Sequence, residues 1–355
     1  MEKRLSKTHQ ARSHIIIHMQ QNFWKRIAKP IISLAPMEDV TDTAFRELIM
    51  RISNPQHLDV LFTEFTSTDG LCHEKGRENV IKRFKTSPGE EAWLKKTNTK
   101  IVAQIWGTDP EKFYRSAKFI DDNFSFDGID INMGCPVKKI IKNGACSALI
   151  NTPELAKEIV LATKEGSNLP VSVKTRTGIR IHHTEQWISD LLSVHPAAIT
   201  LHGRTQQAMS DLPANWNEVE KARHIRDKEA PQTFIFGNGD VTSIAEAQEK
   251  TQKHGIDGIM IGRGVFTNPW IFNPGYEPAL SERLETLLLH TRLFDNYWQQ
   301  ERNFAVLRRF YKIYVQGFPG ASALRASLME TRNAGEVKHV IREFSENHLT
   351  ETQSG

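Results

Sequence analysis

Cys135 has the setting that most suggests chemistry in this sequence. It lies in Asn132-Met-Gly-Cys-Pro136, directly after a short apolar run, so the glycine and the proline hold it on a stiff turn rather than in a packed helix. A reactive thiol can be presented on such a turn, whereas the default interpretation of a lone cysteine is a small buried hydrophobe. The residues alone leave both interpretations open for Cys135, and Cys72 and Cys146 keep the default one.

Polar side chains close most of the other apolar runs, and such ends meet at one rim if the runs are parallel strands of a barrel. His202 can serve there as an acid, a base or a hydrogen-bond donor. Lys174 and Arg176 stand at alternate positions, and we expect only one of them to face inward, where a lysine favours an electron-rich or anionic ring. The ends are Ala35-Pro-Met37, Gln104, Asn132-Met-Gly-Cys-Pro136, Lys174-Thr-Arg176, His202-Gly-Arg204, Gly237-Asn-Gly-Asp240 and Gly262-Arg-Gly264.

The last two of these ends are rich in glycine, which lets backbone N–H groups approach an anion closely. Arg263 adds a charged fork that suits a phosphate. The alternative is that the glycines only make tight turns, but two such turns at adjacent strands favour a phosphorylated cofactor or substrate.

Eight apolar runs and the helix-like segments between them supply the elements that carry these ends. Asp109-Pro110 and Thr152-Pro153 each read as an N-cap followed by proline at the first helical position. Eight strand–helix units over roughly 240 residues predict an α/β fold, a (β/α)₈ TIM barrel. A doubly wound sheet is the alternative, but no Gly-x-Gly-x-x-Gly follows the first run. The runs are 31–35, 59–63, 100–105, 128–132, 170–174, 198–202, 233–237 and 258–262, and the helical segments include 109–121, 152–165, 185–193 and 242–254.

Composition excludes several classes of protein. With 355 residues, 39% apolar and 25% charged, the chain is of ordinary globular composition and long enough for about two domains. Its three cysteines are too few for a disulfide framework, and no spacing suggests zinc. No apolar run approaches the roughly 18 residues of a membrane span. We therefore expect a cytoplasmic monomer with neither a membrane nor a metal as partner.

Clusters of proline and glycine and the distribution of charged residues divide the chain into four parts. Residues 1–29 form a basic extension, with seven basic residues against one acidic residue, and it is either frayed or an added phosphate-binding arm. Residues 30–275 form the barrel, which ends in a cluster of proline and glycine at 273–278. Residues 280–347 form a smaller, all-helical C-terminal domain, and we expect residues 348–355 to be a disordered tail.

Between residues 302 and 329 the helical part contains no acidic residue, and basic and aromatic residues alternate at helical spacing. In one interpretation the aromatic side chains face a small core and the basic ones face water; in the other the basic face meets a phosphate backbone. The basic residues are Arg302, Arg308, Arg309, Lys312 and Arg325, and the aromatic residues are Phe304, Phe310, Tyr311, Tyr314 and Phe318.

Taken in order, the strand ends closely resemble the signature blocks of the tRNA-dihydrouridine synthases, in particular the bacterial, FMN-dependent type. The Asn-x-Gly-Cys-Pro and His-Gly-Arg-Thr blocks are highly specific, and Gly-Arg-Gly alone would be weak. Asp39 departs from the pattern, because many relatives have glycine there, and so does the N-terminal extension. The blocks are Leu34-Ala-Pro-Met-Glu-Asp-Val-Thr-Asp42, Ala103-Gln-Ile105, Asp130-Ile-Asn-Met-Gly-Cys-Pro136, Val173-Lys-Thr-Arg-Thr-Gly178, Leu201-His-Gly-Arg-Thr205, Gly237-Asn-Gly-Asp-Val241 and Ile261-Gly-Arg-Gly264.

The resemblance implies an FMN-containing oxidoreductase that uses NADPH to reduce particular uridines of tRNA to 5,6-dihydrouridine. Hydride would pass from the reduced flavin to uracil C6, and Cys135 would give a proton to C5; the pKa of an ordinary thiol, about 8.5, suits that task. Asn132 would bind the uracil edge, Arg176 would lie near the flavin or the RNA, and Arg308, Arg309 and Lys312 would bind tRNA. The residues that would hold FMN are Pro36, Met37, Glu38, Gln104, Lys174, His202, Asn238, Gly239, Asp240, Gly262 and Arg263.

Two other functions compete with this one. An FMN barrel dehydrogenase would act on a free pyrimidine or on dihydroorotate, and the basic helical part argues against it. An RNA-binding protein with a degenerate barrel would hold tRNA without reducing it, and the intact Cys135, Lys174 and His202 argue against that.

Overall fold

Parallel strands close into an eight-position barrel in the computed structural model, which describes residues 22–299 and 301–353. The ring closes because β1 pairs with both β2 and β9, and β2 pairs with β4. The short β3 pairs only with the end of β4. The strands are β1 Ile31–Leu34, β2 Val60–Phe62, β3 Thr66–Ser67, β4 Lys100–Trp106, β5 Gly128–Met133, β6 Val171–Arg176, β7 Ala198–His202, β8 Phe234–Asn238 and β9 Gly258–Ile261.

Helices surround the barrel and continue beyond it. In the part of the chain that the structure describes, no helix is both long enough and apolar enough to cross a membrane. The α-helices are α1 Thr43–Ile52, α2 Thr68–Cys72, α3 Glu74–Val80, α4 Pro88–Thr97, α5 Pro110–Asn123, α6 Lys138–Ile141, α7 Pro153–Gly166, α8 Thr184–Leu192, α9 Trp216–Glu229, α10 Ile244–His254, α11 Gly264–Thr267, α12 Leu280–Trp298, α13 Tyr311–Tyr314, α14 Ala321–Met329 and α15 Ala334–Gln353. Short 3₁₀ helices are Phe23–Arg26, Pro55–His57, Ile81–Phe84, Cys146–Asn151 and Phe304–Phe310.

The predicted TIM barrel is confirmed, and each of the eight predicted runs is a strand in the structure. Both predicted N-cap positions, each followed by proline at the first helical position, are confirmed, but only one of the two side chains makes a capping hydrogen bond. Asp109 accepts a hydrogen bond from the backbone N–H of Glu111, whereas the side chain of Thr152 stands at the start of α7 without capping it.

Alternate residues of each strand face opposite sides, and this alternation separates the core from the site. In β6, Val171 and Val173 pack against the surrounding helices. Lys174 and Arg176 both line a cavity inside the barrel mouth. The expectation that only one of the two would face inward is therefore wrong, because side chains two positions apart share a face of a strand.

Phe23 and Trp24 close the amino end of the barrel. Both are buried, and the Trp24 ring lies 4.9 Å from that of Phe236, between centroids, in an apolar cluster with the first inward residues of the strands. Lys29 then forms an ion pair with Asp257, at the edge of this floor. Residues 22–29, which were assigned to the basic extension, therefore belong to the barrel, because their aromatic side chains fill its end. Residues 1–21 lie outside the described residues.

The helical C-terminal part packs on α1 through an apolar core that is continuous with the helical layer of the barrel. The Phe45 ring of α1 lies 5.2 Å from Phe310 and 5.5 Å from His290, between centroids. The last helix, α15, continues to Gln353, so residues 348–353, which were predicted to be disordered, are helical.

Arg302 anchors this helical part to the barrel rather than facing solvent. Its guanidinium donates hydrogen bonds to Glu64 at 2.9 and 3.1 Å, to Asp42 at 3.1 Å and to Asp39 at 3.2 Å. The ring of Trp298 lies 4.9 Å from the guanidinium, and its indole N–H donates to Asp42 at 2.8 Å. We call this cluster the Arg302 anchor.

We predict that Trp24→Ala lowers the free energy of unfolding by about 3–5 kcal/mol, because it opens a cavity in the barrel floor. Chemical denaturation followed by far-ultraviolet circular dichroism measures the loss. Trp93→Ala, which removes a half-buried tryptophan on α4, serves as the control and should cost much less. Equal losses in the two variants would show that the floor has no special role.

Candidate active site

A cavity of about 550 Å³ opens at the carboxyl ends of the strands. It brings together most of the residues that the strand ends predicted. The lining includes Pro36, Met37, Asn132, Cys135, Lys174, Arg176, His202, Asn238, Gly239, Asp240, Gly262 and Arg263.

Two residues expected to hold the cofactor do not line this cavity. Glu38 turns toward Arg83 and accepts a hydrogen bond from it at 2.5 Å, and burial raises the pKa of Glu38. Gln104 is fully buried in the barrel beneath the cavity, where its amide contacts Asp130 and Asn132. The family resemblance assigned both residues to the cofactor, but Arg83 draws Glu38 away from the cavity, and Gln104 packs inside the barrel beneath it.

Hydrogen bonds at both backbone groups of Cys135, its N–H and its carbonyl, fix the loop that carries this residue. Its backbone N–H donates to the side-chain oxygen of Asn132 at 3.0 Å, and its carbonyl accepts from the hydroxyl of Ser147 at 2.7 Å. A hydrogen bond from the thiol of Cys146 lowers the pKa of Cys135 to about 7, although burial opposes it. Cys146 is buried, as its default interpretation predicts, but it also tunes the neighbouring thiol, whose pKa lies below that of an ordinary thiol.

Lys174 and His202 present one cationic and one neutral group to the cavity. The Lys174 ammonium donates to the side-chain oxygen of Asn238 at 3.1 Å, and burial lowers the pKa of Lys174 to about 8. Arg204 lies 3.2 Å from Nε2 of His202, and since an arginine can only donate, Nε2 is the acceptor. Burial and the nearby cations lower the pKa of His202, so its ring is neutral and carries its proton on Nδ1.

Arg204 links the loops at the glycine-rich end of the cavity, where a phosphate was predicted to bind. The sequence alone suggested no role for this residue. It binds both carboxylate oxygens of Asp240, at 2.6 and 2.7 Å, and the same carboxylate accepts from the N–H of Ala214 at 2.8 Å. The pair is separated by 36 residues of sequence, so only its place in the His-Gly-Arg block could have marked it.

Two glycines shape this end of the cavity in different ways. Gly239 has φ of +127°, and a Cβ there would lie 2.7 Å from the Cβ of Ala214, so another residue would not fit. A Cβ on Gly262 would meet no atom closer than 3.7 Å, so a side chain there would project into open space in the cavity lining. Gly262 thus keeps free a volume that the protein itself does not fill.

Arg176 braces the loops of the mouth. It donates to the carbonyl of Gly134 at 2.8 Å and to those of Thr205 and Met209 at 3.0 Å. Its charge still lies in the cavity lining, next to the loop of Cys135.

A basic and apolar rim, formed by the loops after β5, β6 and β7, borders the mouth opposite the helical part. Loops 134–145 and 177–183 contain no acidic residue. Four of the large apolar side chains that are exposed in the structure lie on the loops of this rim. The exposed residues are Val137, Ile181, Met209 and Leu212, and the basic ones are Lys138, Lys139, Lys142 and Arg180.

The three residues predicted to bind tRNA lie outside the cavity. Arg309 is exposed and contacts the backbone oxygen of Asp39 at 3.3 Å, beside the loop that carries Met37 into the cavity lining. Lys312 is exposed and Arg308 is half-buried, whereas Phe310, Tyr311 and Tyr314 are buried. The aromatic residues therefore form a core, and three basic residues remain at or near the surface.

The chain matches the family model described as dihydrouridine synthase (Dus) over residues 33–351. It is 42% identical over 329 residues to a probable tRNA-dihydrouridine synthase of Staphylococcus aureus (strain MRSA252), covering 92% of this chain and 96% of the relative. It is 39% identical over 334 residues to the probable tRNA-dihydrouridine synthase 2 of Bacillus subtilis (strain 168), covering 93% and 99%.

We predict that alkylation of Cys135 by iodoacetamide rises with pH through a midpoint of about 7, because the thiolate is the reactive form. Cys146→Ala removes the main cause of the lowered pKa, so the midpoint should move toward about 8.5. Peptide mapping by mass spectrometry identifies the labelled residue, and Cys72→Ala should leave the midpoint unchanged. A midpoint that Cys146→Ala does not move would contradict the hydrogen bond between the two thiols.

Proposed function

Because the chain belongs to the dihydrouridine synthase family, we propose that it reduces particular uridines of tRNA to 5,6-dihydrouridine, with FMN as cofactor and NADPH as electron donor. The observation that carries the proposal is the thiol of Cys135, held on a braced loop in the lining of a cationic cavity. A cavity of this charge suits an anionic cofactor and an RNA base.

The residues around the cavity fit FMN. The open space beside Gly262 suits a ligand that contacts the backbone, and Arg263 can pair with a phosphate. Pro36, Met37, Lys174, His202, Asn238 and Asp240 would complete the site, with Gln104 and Glu38 supporting it from behind the lining. Bound FMN, once reduced by NADPH, would supply a hydride to uracil C6.

Cys135 would act as the general acid. Addition at C6 leaves negative charge on C5 and its neighbouring carbonyl, and a proton from the thiol neutralises it. The hydrogen bond from Cys146 then stabilises the thiolate that remains, which is the same effect that lowers the pKa of Cys135.

Asn132 would bind the uracil. Its side-chain oxygen already accepts from the N–H groups of Gly134 and Cys135, and one of its two N–H groups donates to Gln104. The remaining N–H is free to donate to a carbonyl oxygen, which uracil offers.

A uridine in folded tRNA must leave its stack to enter such a cavity, so the surface around the mouth must grip the rest of the RNA. The basic and apolar rim would serve on one side, and Arg308, Arg309 and Lys312 on the other. The cations of both surfaces would then contact phosphates of the RNA backbone.

We predict that the purified, flavin-loaded protein forms dihydrouridine in unmodified tRNA with NADPH, at one or a few positions, when products are mapped by position. Free uridine and dihydroorotate serve as control substrates. Turnover of a free pyrimidine with none on tRNA would instead identify a dehydrogenase. Cys135→Ala should keep FMN and tRNA binding but lose at least about 100-fold in turnover, and Cys72→Ala should not.

We further predict that Arg308→Ala combined with Arg309→Ala weakens tRNA binding at least about tenfold and lessens its salt dependence, while FMN content stays unchanged. Lys228→Ala combined with Lys253→Ala removes the same charge from exposed positions near the ends of α9 and α10 and should have little effect. Filter binding at two salt concentrations compares the pairs. Equal affinities for the two double variants would limit these arginines to a structural role.

A further inference from the structure

A chain of buried hydrogen bonds runs from the barrel interior to the loop of Cys135. Ser172 donates to one oxygen of Asp130 at 2.5 Å, and the Gln104 amide donates to the other at 2.7 Å. Asn132 donates to the oxygen of Gln104 at 3.1 Å. The oxygen of Asn132 in turn accepts from the backbone N–H groups of Gly134 and Cys135, both at 3.0 Å.

Strand register produces this chain. Gln104, Asp130 and Ser172 are direct partners on the neighbouring strands β4, β5 and β6, so they form one inward layer. Asn132 lies two residues after Asp130 on the same face, one layer closer to the mouth. All four side chains are buried, and those of Gln104, Asp130 and Ser172 lie outside the cavity lining, so solvent cannot replace a missing partner in that layer.

The direction of every hydrogen bond in the chain is set from its two ends: the carboxylate of Asp130 can only accept, and the backbone N–H groups of Gly134 and Cys135 can only donate. Gln104 must therefore turn its NH₂ group toward Asp130, and its oxygen then faces Asn132. That oxygen requires the NH₂ group of Asn132, which leaves the Asn132 oxygen for the two N–H groups of the loop. Reversal of either amide would set two donors or two acceptors against each other in a buried site, which is costly.

We propose that Asp130 is a positioning residue for the reaction: through Gln104 it fixes the orientation of the Asn132 amide, and thereby the loop of Cys135 and the donor offered to the uracil. Asp130 lies outside the cavity lining and acts only through its neighbours. The inference rests on the proposed function for its activity readout, but the chain of contacts to Cys135 exists without it.

The test compares two substitutions of Asp130 that differ in one property. Asp130→Leu keeps the approximate shape but removes the acceptor, so the amide of Gln104 is no longer directed. Asp130→Asn keeps an oxygen toward Gln104 and can donate to the hydroxyl of Ser172, so it should preserve the chain. We expect kcat on tRNA to fall at least about tenfold in the Leu variant with KM changed less than about twofold, and to stay within about threefold in the Asn variant.

Alkylation of Cys135 supplies a readout that needs no tRNA. In the Cys72→Ala background, release of the loop should separate Cys135 from Cys146 and raise the pH midpoint of alkylation in the Leu variant but not in the Asn variant. Gln104→Met breaks the next link and should raise the midpoint as Asp130→Leu does, which keeps the test open if the Leu variant does not fold.

A folded, flavin-loaded Leu variant with wild-type kcat and midpoint would overturn the proposal, and so would an Asn variant as impaired as the Leu variant. A wild-type protein that forms no dihydrouridine would refute the proposed function instead, while the alkylation midpoints would still test the chain from Asp130 to Cys135.

Discussion

The need to pair charges inside a barrel governs the mouth of this protein. Lys174, Arg176 and Arg204 are held in the low-dielectric upper half of the barrel, where an unpaired charge is expensive. Arg176 meets this need with the carbonyls of three loop residues, and Arg204 with the carboxylate of Asp240. The bonds that satisfy the charges therefore also fix the loops. Among the residues that the structure describes, Asp240 is the one acidic residue in the cavity lining, so a net positive potential remains for a ligand.

The two halves of the barrel differ in the side chains that fill them. Aromatic and aliphatic side chains fill the amino half, from Phe23 and Trp24 to Phe236. Polar residues fill the layers above, where Asp130, Gln104 and Ser172 satisfy one another and Lys174 reaches Asn238. The apolar floor lowers the local dielectric beneath these layers, which strengthens the electrostatic contacts within them.

The sequence predicts the strands, and with them the rim residues, because short apolar runs and the polar or glycine-rich residues that end them are local signals. It does not predict where Glu38 and Gln104 turn, since Arg83 and Asp130 decide this and both are distant in sequence. For the same reason Arg302 reads as a solvent-facing cation, whereas three carboxylates from the barrel loops bind it. Pairing between distant charges has no local signature, so it emerges only when the chain is folded.

The continuous core between the barrel and the helical part has a consequence for how the protein unfolds. Phe45 packs against His290 and Phe310, and the Arg302 anchor ties both parts together, so neither part has a complete core of its own. Parts that share a core open together, as one cooperative unit. Each destabilising substitution in the helical part therefore lowers the stability of the whole chain. Its surface can change only at positions outside the face that packs on α1.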